Sequence, residues 1–236
     1  MKIMAELLLG VILGMLLVGP VGAQSGRKFD FSSDTVGKES SAFSPVVGTW
    51  RIALDGITHV YAVDGRSRQG LLSPKASENA IALFGEKTPE FIKGVSFYKE
   101  FPLTINKEFG NFKNGTLLIS FKALGGKEDQ AAGIAFNIRP DGEYLAVRAN
   151  ALENNLALFA FDKGKRSPLQ EINDVPTPSN QWHILKVTIK GEKIEASLDD
   201  KKYIDYAFKN SINGKVGLWS KADSYTLFDK FEVQQD

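Results

Sequence analysis

Past its first two dozen residues this chain breaks repeatedly into short runs rich in β-branched and aromatic side chains, each closed by Gly, Pro, Asn or Asp. No later stretch keeps apolar residues at a helical period for three turns, so the chain must find its core by pairing strands. Phe29-Asp30-Phe31 opens the first apolar alternation, and the Ser-, Gly- and Pro-rich segment from Ser32 to Gly48 reads as an ordered loop or an edge-running segment. Strands are then predicted at Thr49 to Leu54, His59 to Val63, Asn79 to Phe84, Val95 to Phe101 and Thr116 to Ala123. They continue at Gly133 to Ile138, Tyr144 to Ala149, Leu156 to Phe161 and Trp182 to Ile189. Lys193 to Leu198, Lys202 to Ala207, Lys215 to Trp219 and Tyr225 to Val233 complete the series. Asn114-Gly115, Asp141-Gly142, Lys190-Gly191-Glu192 and Asp199 to Lys201 supply the turn chemistry between them. Many short strands joined by tight turns predict an all-β fold of two packed antiparallel sheets.

With no cysteine, no disulfide staples this fold and no thiolate is available as nucleophile or zinc ligand. A single sandwich core of about 210 residues is large enough to hold without one. The chain opens with Lys2, an apolar run from Leu7 to Val18, and Gly19-Pro20-Val21-Gly22-Ala23. That is the plan of a secretory signal peptide over residues 1–23, followed by one domain over 24–236, and it predicts a secreted or periplasmic protein. The run is short for a membrane span, so contact with a membrane is expected only through an uncleaved leader. The full chain holds 29 basic and 28 acidic residues, and removing Lys2 and Glu6 with the leader keeps the balance at +1. So neutral a chain lacks the field that gathers nucleic acid, and none is expected as a partner.

The stretch Glu143 to Asn155, EYLAVRANALENN, is where a buried strand and a polar cluster share residues. Alternation puts Leu145, Val147 and Ala149 on the core side and Tyr144, Ala146, Arg148 and Asn150 on the other. On that second face a tyrosine ring can cover the apolar side of a sugar, while a guanidinium and a carboxamide serve its hydroxyls. Glu153 and Asn154, in the following turn, would close one end of such a groove, and Lys221 and Asp223, in the Ser220 to Ser224 turn, the other. The competing reading makes Arg148 one half of an ordinary ion pair on a solvated surface.

The runs YLAVRANALENNLALFAFDKGKR, the Trp182-His183 strand with KVTIKGEKIEASLDDKKYIDYAF, and GKVGLWSKADSYTLFDKFEV resemble secreted bacterial concanavalin A-like domains, near the laminin G-like modules and the 3-keto-disaccharide hydrolase-like family. The likeness covers Gly133 to Val233 most strongly, and FDFSSDTVGKESSAFSPVVGTWRI looks like the same family's opening. It implies a concanavalin A-like jelly-roll sandwich in which carbohydrate recognition is common and catalysis belongs to some branches only.

Glucanases on this fold carry Glu-x-Asp-x-x-Glu on one strand, and that pattern is absent here. Glu171-Ile172-Asn173-Asp174 spaces its acids across both faces, while Glu143 with Glu153, or Asp199 with Asp205, would have to meet in space. Only His59 and His183 are available as bases, and neither lies in a nucleophile elbow; His183 reads as structural or surface. Zinc ligands are too few, and no cofactor is expected; Asp141, Asp174, Asp199 and Asp200 could offer calcium oxygens without the spacing of a known calcium loop. Trp50, Trp182 and Trp219 read as core filling. Asn114-Gly115-Thr116 matches a glycan acceptor but is assigned to the turn. The residues point to a carbohydrate-binding module without its own catalysis, with a glycoside hydrolase and a protein-interaction domain as alternatives.

Overall fold

The computed structural model describes residues 25–66 and 70–236; the expected leader lies outside the described residues. Strands β1 (Ser25–Asp30), β2 (Phe43–Val47), β3 (Trp50–Asp55) and β4 (Thr58–Asp64) precede helices α1 (Ala76–Phe84) and α2 (Thr88–Val95). β5 (Leu103–Asn106), β6 (Gly115–Gly125), β7 (Ala131–Ile138), β8 (Tyr144–Asn150) and β9 (Asn155–Asp162) follow. The last are β10 (Lys165–Ile172), β11 (His183–Lys190), β12 (Lys193–Leu198), β13 (Lys201–Ala207), β14 (Lys215–Trp219) and β15 (Tyr225–Gln235).

These strands form two antiparallel sheets. The first runs β13-β12-β11-β6-β15-β4-β3, with β1 also paired to the long β15, and the second runs β10-β9-β8-β7-β14-β5-β2. Strict alternation explains the packing: Leu117, Ile119 and Phe121 of β6 meet Leu145 and Val147 of β8 and Leu156 and Leu158 of β9 in one core between the sheets. The joints use the expected chemistry. Asp199-Asp200 and Lys163-Gly164 join hairpins with both residues at positive φ, the twist that suits two-residue loops.

Eleven predicted strands form close to their expected positions. Two do not: Asn79 to Phe84 lies in α1, and Val95 to Phe101 runs from the end of α2 through a single 3-10 turn at Ser96–Tyr98. A six-residue apolar run cannot declare its period, and here Ala76, Ala80 and Leu83 line one helical face while Ile81 points outward. Asn114-Gly115 is not a hairpin turn but the entry to the central strand β6, where Gly115 pairs with both Ile189 and Gln235. The segment 32–48, expected as an ordered loop or an edge-running segment, contains β2, the edge strand of the second sheet. Trp50 and Trp219 are buried as expected, whereas Trp182 stays 38% exposed and donates from Nε1 to Asp55 at 3.1 Å.

The helical insert covers the face of the second sheet that is turned away from the first. Val47, Ala80, Phe91, Val95, Tyr98 and Trp219 make a second core there. Its approach is backbone to backbone: a Cβ on Gly94 would stand 2.0 Å from the Asp141 carbonyl oxygen, so only glycine lets α2 rest on the β7 to β8 turn.

Candidate functional site

Register turns the outer face of the second sheet into rows. Tyr144 faces Phe161, which faces Arg166; two residues on, Ala135, Ala146 and Phe159 align with Pro168. The third row holds Trp219, Gly133, Arg148, Ala157 and Glu171, and the fourth Ala131, Asn150 and Asn155. The face therefore changes character halfway along, apolar under the insert and polar beyond it.

The apolar rows account for Tyr144. Its ring stacks on Phe161 at 4.2 Å, meets Tyr98 edge-on at 5.8 Å, and its hydroxyl accepts from Trp219 Nε1 at 3.4 Å. Burial pushes the phenol well above its usual range. The expectation that Tyr144 covers a sugar is thus corrected: the insert, unseen in the sequence, already covers the ring. Trp219 lies under Phe101, the two rings nearly parallel at 5.5 Å, and fits because Gly133 beneath it has no side chain.

Arg148 and Asn150 do sit together on the predicted face, with Leu145, Val147 and Ala149 in the inter-sheet core. Arg148 is only 2% exposed; its Nη1 donates to Glu153 at 2.6 Å, its guanidinium lies 5.4 Å from the Phe159 ring, and among the described residues its buried Nε has no partner. Glu153 reaches back from the β8 to β9 turn as expected. Burial raises its carboxyl, but the Arg148 hydrogen bond and charge, then Lys221 and Asn155, outweigh this and hold it below the usual range. Lys221 spans Asp129 at 2.8 Å and Glu153 at 3.6 Å, so two groups expected at opposite ends of a groove stand side by side. Asn150 acts as a latch, donating to Asp129 at 2.8 Å and accepting from the Gln130 and Leu152 amides.

The other expected residues have structural duties. Asp223 is buried and accepts from the amides of Lys127, Glu128 and Asp129, which holds the loop that presents Asp129. Burial raises the Asp223 carboxyl, and those three amides outweigh it, leaving the group below its ordinary range. Asn154 is an exposed left-handed turn residue whose carbonyl accepts from the Val175 amide. His183 is buried between Asp199 at 2.7 Å and the Pro178 carbonyl at 3.0 Å.

Three residues of the cluster, Asp129, Asn155 and Glu171, are not assigned to it by the sequence. Asn155 Nδ2 donates to Glu153 at 3.1 Å and to Glu171 at 2.8 Å, and among the described residues its buried Oδ1 has no partner. Glu171 comes from β10, an edge strand with a bulge at Pro168 and no apolar alternation to announce it. Glu153 and Glu171 are therefore linked through Asn155, whereas Glu143 pairs with Arg139 at the far end of β8 and Asp205 with Lys193 and Lys202.

No protein-family model matches the chain, and no curated protein matches it. Solved structures match its fold. The carbohydrate-binding module CBM66 from Bacillus subtilis superposes with a TM-score of 0.57 at 18% identity, over 80% of this chain and 94% of that one. A Bacillus subtilis protein of unknown function with a galectin-like fold gives 0.58 at 12% identity, over 89% and 94%. The apo form of the Crh5 transglycosylase gives 0.52 at 12%, over 90% and 85%. This chain has the concanavalin A-like jelly-roll fold; likeness at these identities is a likeness of fold.

Proposed function

We propose that this chain is an exported carbohydrate-binding module without catalysis of its own, and that it holds a saccharide over the polar rows of the second sheet. The observation that carries this reading is Arg148. A buried guanidinium with one acid at 2.6 Å and an unpartnered Nε is a poor investment for stability, since an apolar residue of similar size would pack there without desolvating a charge. Around it Glu153, Glu171 and Lys221 reach the surface in fixed positions, alternating donors and acceptors as a polyol requires. A relationship of fold to a carbohydrate-binding module supports the same class.

One observation favours hydrolysis as the second reading. Glu153 and Glu171 accept from the same Asn155 nitrogen, which keeps two carboxylate oxygens within about 6 Å, near the spacing of a retaining pair. Such a pair needs one carboxylate ionised and one carboxyl protonated; Arg148 and Lys221 hold Glu153 ionised, so Glu171 would have to be the acid.

A glycan array run beside a reducing-sugar assay tests both. Binding without turnover is expected, with Glu171→Ala weakening binding at an unchanged Tm. Turnover abolished by Glu171→Gln would replace the module with an enzyme, and silence in both assays would leave neither. Export is checked by the N-terminus of the released protein, expected near Gln24; a secreted chain beginning at Met1 would remove the leader.

A further inference from the structure

Arg166 stands at the exposed edge of the same face. Its guanidinium lies 4.8 Å from the Phe159 ring and 5.2 Å from the Phe101 ring, and among the described residues it makes no side-chain hydrogen bond and no ion pair. Phe159 is thus shared by two guanidiniums, that of Arg148 lying 5.4 Å from it. The acids of the cluster already have partners. Glu153 bonds Arg148, Glu171 bonds Asn155, and Asp129 bonds Lys221 and Asn150.

An exposed arginine usually ranges over many rotamers, but one resting on two rings keeps its planar fork in place with the N–H edges free. Two like charges beside one ring repel, and only one of them has been given a counter-charge. What would complete the arrangement is an oxyanion arriving with the ligand. Resting on the carbohydrate reading above, we infer that Arg166 forms an anion subsite and that the preferred saccharide carries a carboxylate or a sulfate ester on the residue nearest β10. A neutral chain of net charge +1 offers no general attraction to polyanions, so such a preference must come from a local fork.

The test uses matched pairs in affinity electrophoresis and calorimetry: polygalacturonate against its methyl ester, and sulfated against unsulfated dextran. Each pair keeps the backbone and changes only the charge, and comparison of the pairs separates carboxylate from sulfate. The parent is expected to bind the acidic member of at least one pair more tightly. Arg166→Gln should lose roughly ten- to a hundredfold on that member, the scale of a hydrogen bond to a charged group, and nothing on the neutral one. Arg166→Lys keeps the charge without the fork and should fall between. Because Arg166 is exposed, an unchanged Tm shows that the variants fold. Equal binding of both members, or a preference that survives Arg166→Gln, overturns the anion subsite and leaves the carbohydrate reading standing. Failure to bind any of the four polymers overturns the anion subsite, while the glycan array alone decides the carbohydrate reading.

Discussion

Removing the partner of a buried charge is a sharper probe than removing the charge. In the Arg148 and Glu153 pair, at 2.6 Å, the arginine side chain is 3% exposed and the glutamate 39%. Breaking a fully buried pair costs about 3 to 5 kcal/mol and a surface pair about 0 to 1 kcal/mol, so this half-covered one should lie near 2 kcal/mol. For a domain of this size each kcal/mol moves Tm by about 2 to 4 °C, which gives Glu153→Ala a fall of about 4 to 8 °C at neutral pH. The double variant Arg148→Met with Glu153→Ala should recover much of that fall, because the charge that needed a partner has gone while an unbranched stem still covers Phe159.

The pH dependence follows from the same pair. Glu153's folded carboxyl lies below its ordinary value of 4.5, so it contributes stability that is complete above that value and disappears as pH falls through the folded one. The parent and Glu153→Ala should therefore converge in calorimetric melts as the pH is lowered below about 4. A Glu153→Ala variant that melts with the parent at neutral pH would refute the pair. So would a double variant no more stable than the single, or a gap that persists in acid.

Asp223→Ala orphans the amides of Lys127, Glu128 and Asp129, and should cost about 2 to 3 kcal/mol, with hydrogen exchange accelerating at those amides first. The Asp223 carboxyl also lies below its ordinary range, so loss of its contribution as pH falls should be absent from Asp223→Asn, compared by chemical denaturation across pH. Gly94→Ala drives a methyl into the Asp141 carbonyl and should lift the insert, exposing the Trp219 that Phe101 covers; a red shift of tryptophan emission reads this, and an unchanged spectrum would refute the close approach. Tyr144→Phe removes the hydroxyl that accepts from buried Trp219 Nε1 at 3.4 Å, so Tm should fall by a few degrees while glycan binding stays the parent's, whereas a sugar-facing tyrosine would lose binding.

What the sequence shows and what it hides both follow from parity. Alternation along EYLAVRANALENN is a local property, so it placed Arg148 and Asn150 on the outer face and their neighbours in the core. What lies over an outer face is not local. The segment 76–101, whose apolar runs are too short to show a helical period, returns across β8 and buries Tyr144, two residues beyond Ala146 from Arg148 on the same face. Edge strands are the other gap: β10 carries Pro168 and a bulge, because an edge tolerates a missing amide, and those features remove the pattern by which a strand is recognised. Yet that strand supplies Glu171 and Arg166. Of β10 only Leu169, at the bulge, and Ile172 pack against the inter-sheet core, so the strand has no even apolar rhythm to read. The same freedom lets Glu171 and Arg166 stand there without a counter-charge among the described residues, and the least legible strand thus borders the polar part of the outer face.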